Sequence, residues 1–391
     1  MKELQAIIEA RAKNPEATLA LATLVKSSGS TYRRPGARML ILPNGEAIGS
    51  ISGGCVETDV IQNAAEIAKS GRSAILTYDT STEEDILFGA GLGCKGEVHI
   101  LVEPVHPLEQ AADREDLISF VAELFHRRES AAVVTIIAAP AQSGARVGAR
   151  VIATAHGAGM GNVGDEALSA AMMEDARQAL QHGRAANVEH VFAGGVVEVF
   201  AEVIHSPAPL VIFGAGYDAV PLVRLARELG HHITVVDKRP AYATPKRFPL
   251  ADVVKVAQPE DDLEDQFQLT RRTAVVVMSH NYMADRAFLK TLLPLPLLYL
   301  GVMGPRKRAE KMIEELRREG AVAGDDVLGR IHNPIGLDIG AETPEQIALA
   351  ILGEIQAVIS GHAGGLLREK RGPIHAPRAA SAPAQSGAVP A

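Results

Sequence analysis

The chain contains no tryptophan, and aromatic residues of all kinds make up only 4% of it. Stacked aromatic platforms for single-stranded nucleic acid are therefore not on offer. Positive charge is also in deficit: 39 Lys and Arg against 47 Asp and Glu give a formal charge of −8. Nucleic acid and anionic membrane are poor partners for such a surface. Cysteine occurs twice, at Cys55 and Cys94, which is no disulfide scaffold. No apolar run reaches the length of a spanning helix. The opening MKELQAIIEARAKN carries acids and lacks an apolar core, so it does not read as a signal peptide. These absences predict a cytoplasmic setting. No G-x-S-x-G precedes a helix, and two cysteines with no histidine closer than His99 fall short of a four-ligand zinc site.

What is present begins at 209–240. Leu210 to Phe213 is an apolar run entering Gly214-Ala215-Gly216, followed by a helical periodicity and a second apolar run ending at Asp237. Strand, tight turn, helix, strand is one βαβ unit of a parallel sheet. The turn places backbone N–H groups and a positive helix end where a diphosphate can sit. Ala219 fills the third fingerprint position, small enough for close helix–strand packing. Asp237 stands where a carboxylate accepts ribose hydroxyls, with Lys238 and Arg239 next to it to accommodate a 2′-phosphate. Val220, Leu222, Val223, Ala226 and Leu229 are the expected buried stripe. Further strands are expected at 252–256, 274–278 and 298–303, and helices near 284–293 and from Arg306 to Arg318. A capping box, Thr343-Pro344-Glu345-Gln346, opens a helix ending at Gly361.

The preceding half is internally repeated. LATLVKSSGSTYRRPGARMLI and AVVTIIAAPAQSGARVGARVIA align at an offset of 112, so that Gly36-Ala37-Arg38 meets Gly148-Ala149-Arg150. The closing strands, 97–103 and 196–202, correspond once about a dozen residues are dropped from the second copy. Two diverged copies of an α+β half explain this. The division expected is 1–205, with repeats at about 15–105 and 127–205, then an α/β domain at 206–362 and a disordered tail at 367–391. The overall class is α/β.

The copies diverge where chemistry is easiest to build. Copy one has Ser52-Gly53-Gly54-Cys55-Val56-Glu57, where copy two has Gly164-Asp165-Glu166-Ala167-Leu168-Ser169. Cys55 precedes a helix start, which depresses a thiol pKa. Cys94 sits in a second glycine-rich turn, and the two are expected to meet in one soft two-thiol, metal-competent mouth. Glu57 lies beside it, and Arg33, Arg34 and Arg38 are candidate phosphate ligands. Arg306, in a cationic first helical turn after Gly304-Pro305, is a further anion candidate. His280 ends an apolar strand, where ligands bind in open sheets, and Asp285 and Asp338 lie in loops of the same kind.

At GSISGGCVE (49–57), the Gly-Cys pair at 93–94, LVIFGAG (210–216), MSHNYMAD (278–285), YLGVMGPRKR (299–308) and NPIGLDIGAETPEQIALAILGEI (333–355) the chain resembles the XdhC/CoxI family. These are accessory proteins of xanthine dehydrogenase, or of carbon monoxide dehydrogenase and related molybdenum hydroxylases. The resemblance implies a Rossmann-like domain carrying 214–219 and Asp237. It also implies binding of the molybdopterin form of the molybdenum cofactor, with Cys55 and Cys94 on the family's motif cysteines. Work with a cysteine desulfurase, transfer of the sulfurated cofactor to the target enzyme, and a homodimer complete the expectation. The residues themselves leave two other readings open, an NAD(P)-dependent oxidoreductase and a docking scaffold without cofactor. They also leave open whether the chain turns over a substrate at all.

Overall fold

Two kinds of sheet divide the chain, antiparallel before residue 206 and parallel after it. The computed structural model describes all residues except 1, 30, 55, 80–95, 112–115, 156, 159, 160, 162, 184, 193, 322–328 and 372–391. It separates into two units, Met1–Ser206 and Pro207–Ala391.

The first unit holds two five-stranded antiparallel sheets. One contains β1 (Leu19–Gly29), β2 (Arg38–Ile41), β3 (Ala47–Gly49), β4 (Ala74–Asp79) and β5 (Gly96–Val105), in the order β3-β2-β1-β5-β4. The other contains β6 (Ser130–Ala138), β7 (Arg150–Thr154), β8 (Gly157–Ala158), β9 (Ala186–Phe192) and β10 (Gly195–His205), in the order β8-β7-β6-β10-β9. Position for position the two orders are the same, which is the duplication seen in the sequence. Strand β1 runs on through the polar residues Ser27 and Ser28. Pairing with Val98 and Glu97 of β5 satisfies the backbone there whatever the side chains are.

Each sheet keeps one face for its own helix. Helix α2 (Glu57–Ser70) covers the first through Val60 and Ala64. After α3 (Leu117–His126), α4 (Glu166–His182) covers the second through Leu168, Met172 and Ala176. The opposite faces share a core: Leu19, Leu21 and Leu40 of copy one lie with Ala131, Val133 and Ile152 of copy two, beside α1 (Lys2–Lys13) and α3. These are the same three positions at the offset of 112, so the shared core is pseudo-twofold.

Reciprocal ion pairs fasten it. Arg38 of β2 binds Glu202 of β10, and Arg150 of β7 binds Glu103 of β5. Both arginines are 5% exposed. This corrects the reading of Arg38 as a candidate phosphate ligand: it is a buried strand residue committed to a carboxylate of the other copy.

The second unit is a parallel sheet of β11 (Pro209–Phe213), β12 (His232–Asp237), β13 (Val253–Val256), β14 (Ala274–Val277) and β15 (Tyr299–Val302), in the order β13-β12-β11-β14-β15. Its helices are α5 (Ala219–Glu228), α6 (Leu263–Phe267), α7 (Tyr282–Leu292), α8 (Arg306–Arg318) and α9 (Pro344–Ser360). Alternate residues of β11 feed two cores. Leu210 and Ile212 face α5 and α9. Val211 and Phe213 face α6, α7 and α8. A sheet covered on both faces needs continuous apolar strands, which is why these segments lack alternation. The expected capping box at Thr343 and Gln346 is formed.

In α5 the buried side is Ala219, Pro221, Leu222, Val223 and Ala226. Val220 and Leu229 of the expected stripe are instead 37% and 50% exposed. Val220 lies off the buried side of the helix, and Leu229 is its C-cap, past the last helical residue. Pro221 falls in the first turn, where its missing N–H costs no intrahelical bond. Of the tail expected from 367 onward, Leu367–Glu369 form a 3-10 turn. Among the described residues no helix is long and apolar enough to cross a membrane.

Candidate functional site

In the first unit the distinguishing feature of copy one is the turn from Ser50 to Glu57, ahead of α2. The N-cap residue, Val56, has no side chain able to cap. Instead Glu57 folds back along the turn. Its Oε1 accepts from the Ser52 N–H at 2.8 Å and from Ser50 Oγ at 3.0 Å, and its Oε2 accepts from Ser52 Oγ. Burial by itself would raise the Glu57 pKa, but the hydrogen bonds from Ser52 and Ser50 outweigh it and hold the carboxyl below its usual range. Gly53 passes under the Tyr32 ring, where a Cβ would lie 3.3 Å from ring carbon. Gly54 takes a left-handed φ of +103°, which glycine adopts freely. Glu57 is therefore a buttress of the turn, a structural use of the carboxylate that its sequence position did not disclose.

The arginines of this region separate. Arg33 makes two hydrogen bonds to Glu3 of α1, Nη1 at 2.9 Å and Nη2 at 2.5 Å, so it is committed to a carboxylate like Arg38. Arg34 is exposed and stays available to a ligand. Cys55 and Cys94 both lie outside the described residues, and their expected meeting in one mouth remains an expectation. Among the described residues, no three His, Cys, Asp or Glu side chains converge as a metal site would require.

The corresponding turn of copy two is closed differently. Asp165 is the N-cap of α4, and its carboxylate accepts from the Leu168 N–H at 2.8 Å. In copy two the N-cap side chain itself closes the helix start; in copy one the N-cap, Val56, has no such side chain, and Ser52 Oγ accepts from its N–H at 3.5 Å.

In the second unit the glycine turn lies between β11 and β14, where the strand order reverses and ligands bind in open parallel sheets. Gly214 is obligatory: its φ is +128°, and a Cβ would come within 2.5 Å of the Met278 backbone. Ala219 is fully buried against the sheet, as the fingerprint requires. Gly216 is hemmed by Asp218, whose Oδ1 would lie 2.6 Å from an added Cβ.

Two side chains meet over that turn. His280, at a left-handed φ of +57°, brings Nε2 to 2.6 Å from Asp218 Oδ2. A non-glycine residue rarely holds that backbone conformation, and such outliers concentrate at functional sites. The residues are 62 apart in sequence, so the pair is a product of topology. Ser279, next to it, is anchored by Asp285, which is 1% exposed and accepts from both the N–H and the hydroxyl of Ser279. Arg308 completes that carboxylate at 2.7 Å. The arginine reaching the strand edge is therefore Arg308; Arg306, the expected candidate, is exposed at the helix start.

Asp237 also departs from expectation. Its Oδ1 accepts from the Arg239 N–H and Nε, each at 2.9 Å, and its Oδ2 from the Ala215 N–H and Arg239 Nη2, each at 2.8 Å. The side chain is only 2% exposed. Burial would raise its pKa, but these bonds, Arg239 foremost, hold it below the ordinary value of 3.8. The carboxylate has no acceptor left for a ribose hydroxyl.

With this geometry in view, the relatives of the chain can be placed. Residues 13–79 and, separately, 124–191 match the XdhC and CoxI family, and residues 210–355 match the XdhC Rossmann domain. The chain is 31% identical over 335 residues to a Bacillus subtilis (strain 168) protein named as a probable xanthine dehydrogenase subunit, covering 86% of this chain and 91% of that one. An uncharacterised protein of Escherichia coli (strain K12), YqeB, is 28% identical over 239 residues, 58% of this chain and 43% of that one. The crystal structure of a xanthine dehydrogenase from Bacillus halodurans superposes with a TM-score of 0.71 at 26% identity, over 92% of this chain and 96% of that one. The chain belongs to the XdhC and CoxI family.

Proposed function

We propose that this protein is an accessory factor of a xanthine dehydrogenase-type molybdenum hydroxylase. It binds the molybdopterin form of the molybdenum cofactor in the cytoplasm, assists installation of the terminal sulfido ligand supplied through a cysteine desulfurase, and delivers the cofactor to the target enzyme. The observation that carries the reading is the Ser50–Glu57 turn, built in copy one and replaced by an Asp165 cap in copy two. In the sequence Cys55 immediately precedes Val56, the N-cap of α2, and a thiol placed at a helix N-terminus has a lowered pKa.

Molybdenum held by a dithiolene is soft, and thiolate is a fitting partner for it. Cofactor phosphate calls for a cation and backbone N–H groups, and Arg34 is the exposed arginine of the neighbouring loop. Arg33 and Arg38 are left out of this assignment because Glu3 and Glu202 hold them. The names borne by the Bacillus relatives support xanthine dehydrogenase as the type of enzyme served. A homodimer is part of the proposal and is checked by light scattering.

The test is activation of a sulfur-free target enzyme in the presence of a cysteine desulfurase. The wild-type chain should restore activity, and Cys55→Ala should lose most of the effect, with Cys94→Ala between the two. Undiminished activation by both variants would refute the role of the thiols.

A further inference from the structure

The second unit has a crevice that the cofactor-handling role does not use. It is lined by Gly214, Asp237, Lys238, Arg239, Ser279 and Asn281. We infer that it selects an adenine dinucleotide phosphorylated on the 2′ position of its ribose, and discriminates against the unphosphorylated diol. The inference stands apart from the handling of molybdopterin.

When a diphosphate rests on a glycine turn of this kind, the adenosine sugar lies beside the end of the second strand. The residue there decides which sugar is accepted. Here that residue is Asp237, and it cannot serve a diol: each oxygen already accepts two hydrogen bonds, and Arg239 supplies three of the four donors. A carboxylate 2% exposed gives a hydroxyl no approach either.

What this edge shows to solvent is positive. Arg239 is 41% exposed and its guanidinium carbon lies 3.8 Å from the centre of the Tyr242 ring. Arg247 lies over the same ring at 4.8 Å. Lys238 adds an ammonium at the crevice. Three cations against one buried carboxylate leave a net positive edge. Gathering like charges is unfavourable unless an anion joins them. A phosphomonoester, dianionic and with three acceptor oxygens, suits a guanidinium fork already fixed by Asp237 and Tyr242. At the glycine turn the Asp218 carboxylate is already engaged by His280, whose Nε2 lies 2.6 Å from Oδ2.

The experiment is calorimetric titration of the full chain with NADP⁺ and with NAD⁺. NADP⁺ should bind about tenfold or more tightly, the size of one good charge-assisted contact. Lys238→Ala with Arg247→Ala leaves the Asp237–Arg239 bonds in place and should erase most of that preference. Arg239→Ala should erase the rest, with circular dichroism confirming the fold. In competition, 2′-AMP should displace NADP⁺ and 5′-AMP should not. Equal or tighter binding of NAD⁺, no binding of NADP⁺ at millimolar concentration, a preference undiminished in the double variant, or equal competition by the two monophosphates would each overturn the inference.

Discussion

The two copies in the first unit share a strand order, a pseudo-twofold core and a pair of exchanged arginines, yet they end their loops before the covering helix in opposite ways. In copy two, Asp165 closes the helix start with its own side chain. In copy one, Glu57 turns backward to hold Ser52, and the cap position is Val56. Duplication thus keeps what holds the sheets together and releases a single turn from its capping duty. Cys55 falls in this stretch of the sequence, which is why the proposed chemistry is placed in copy one.

The exchanged ion pairs are the strongest way to break this comparison. Arg38→Ala and Arg150→Ala each leave a buried glutamate unpaired, at a cost of about 3–5 kcal/mol. Thermal unfolding should show the two losses to be alike, because the sites are equivalent; a loss at only one would contradict the pseudo-symmetry. Glu57→Ala comes next. It removes a charged acceptor from three donors and should cost about 1.5–3 kcal/mol, with a fall in bound molybdopterin that stability alone does not explain. Asp165→Ala should cost about 1 kcal/mol, the worth of an N-cap, and leave molybdopterin content unchanged.

Asp237 sharpens the contrast between buried carboxylates and reactive ones. Its pKa in the folded state is depressed, so its stabilisation is present above its ordinary value of 3.8 and is lost as pH falls through the folded value. Asp237→Asn should accordingly be less stable than wild type at neutral pH, and the gap should narrow as pH drops below about 4. Denaturant melts at several pH values check this. The smallest effect belongs to Val220→Lys on the exposed side of α5, expected within about 0.5 kcal/mol of wild type.

Much of the fold was legible in the sequence. The parallel sheet announced itself through apolar runs, a glycine turn and a capping box, and the duplication through aligned Gly-Ala-Arg triplets. The site residues were harder to read, because their partners are distant. Arg38 looks like a loop cation until Glu202, 164 residues away, is placed against it. A signal did exist: Arg38 and Arg150, like Glu103 and Glu202, occupy matching positions of otherwise diverged copies. Asp218 and His280 carried no such mark, since the pair forms only when β11 and β14 become neighbours. Asp237 does end its strand, but Arg239, two residues on, folds back and takes the bonds a ribose would have used.

Retention of pterin decides the central assignment most directly. The wild-type chain, purified from cells that make the cofactor, is denatured, and the released molybdopterin is measured as its fluorescent oxidation product. The account predicts pterin with the wild type and with Asp165→Ala, and little with Cys55→Ala. Equal pterin in all three, or none in the wild type, would contradict it.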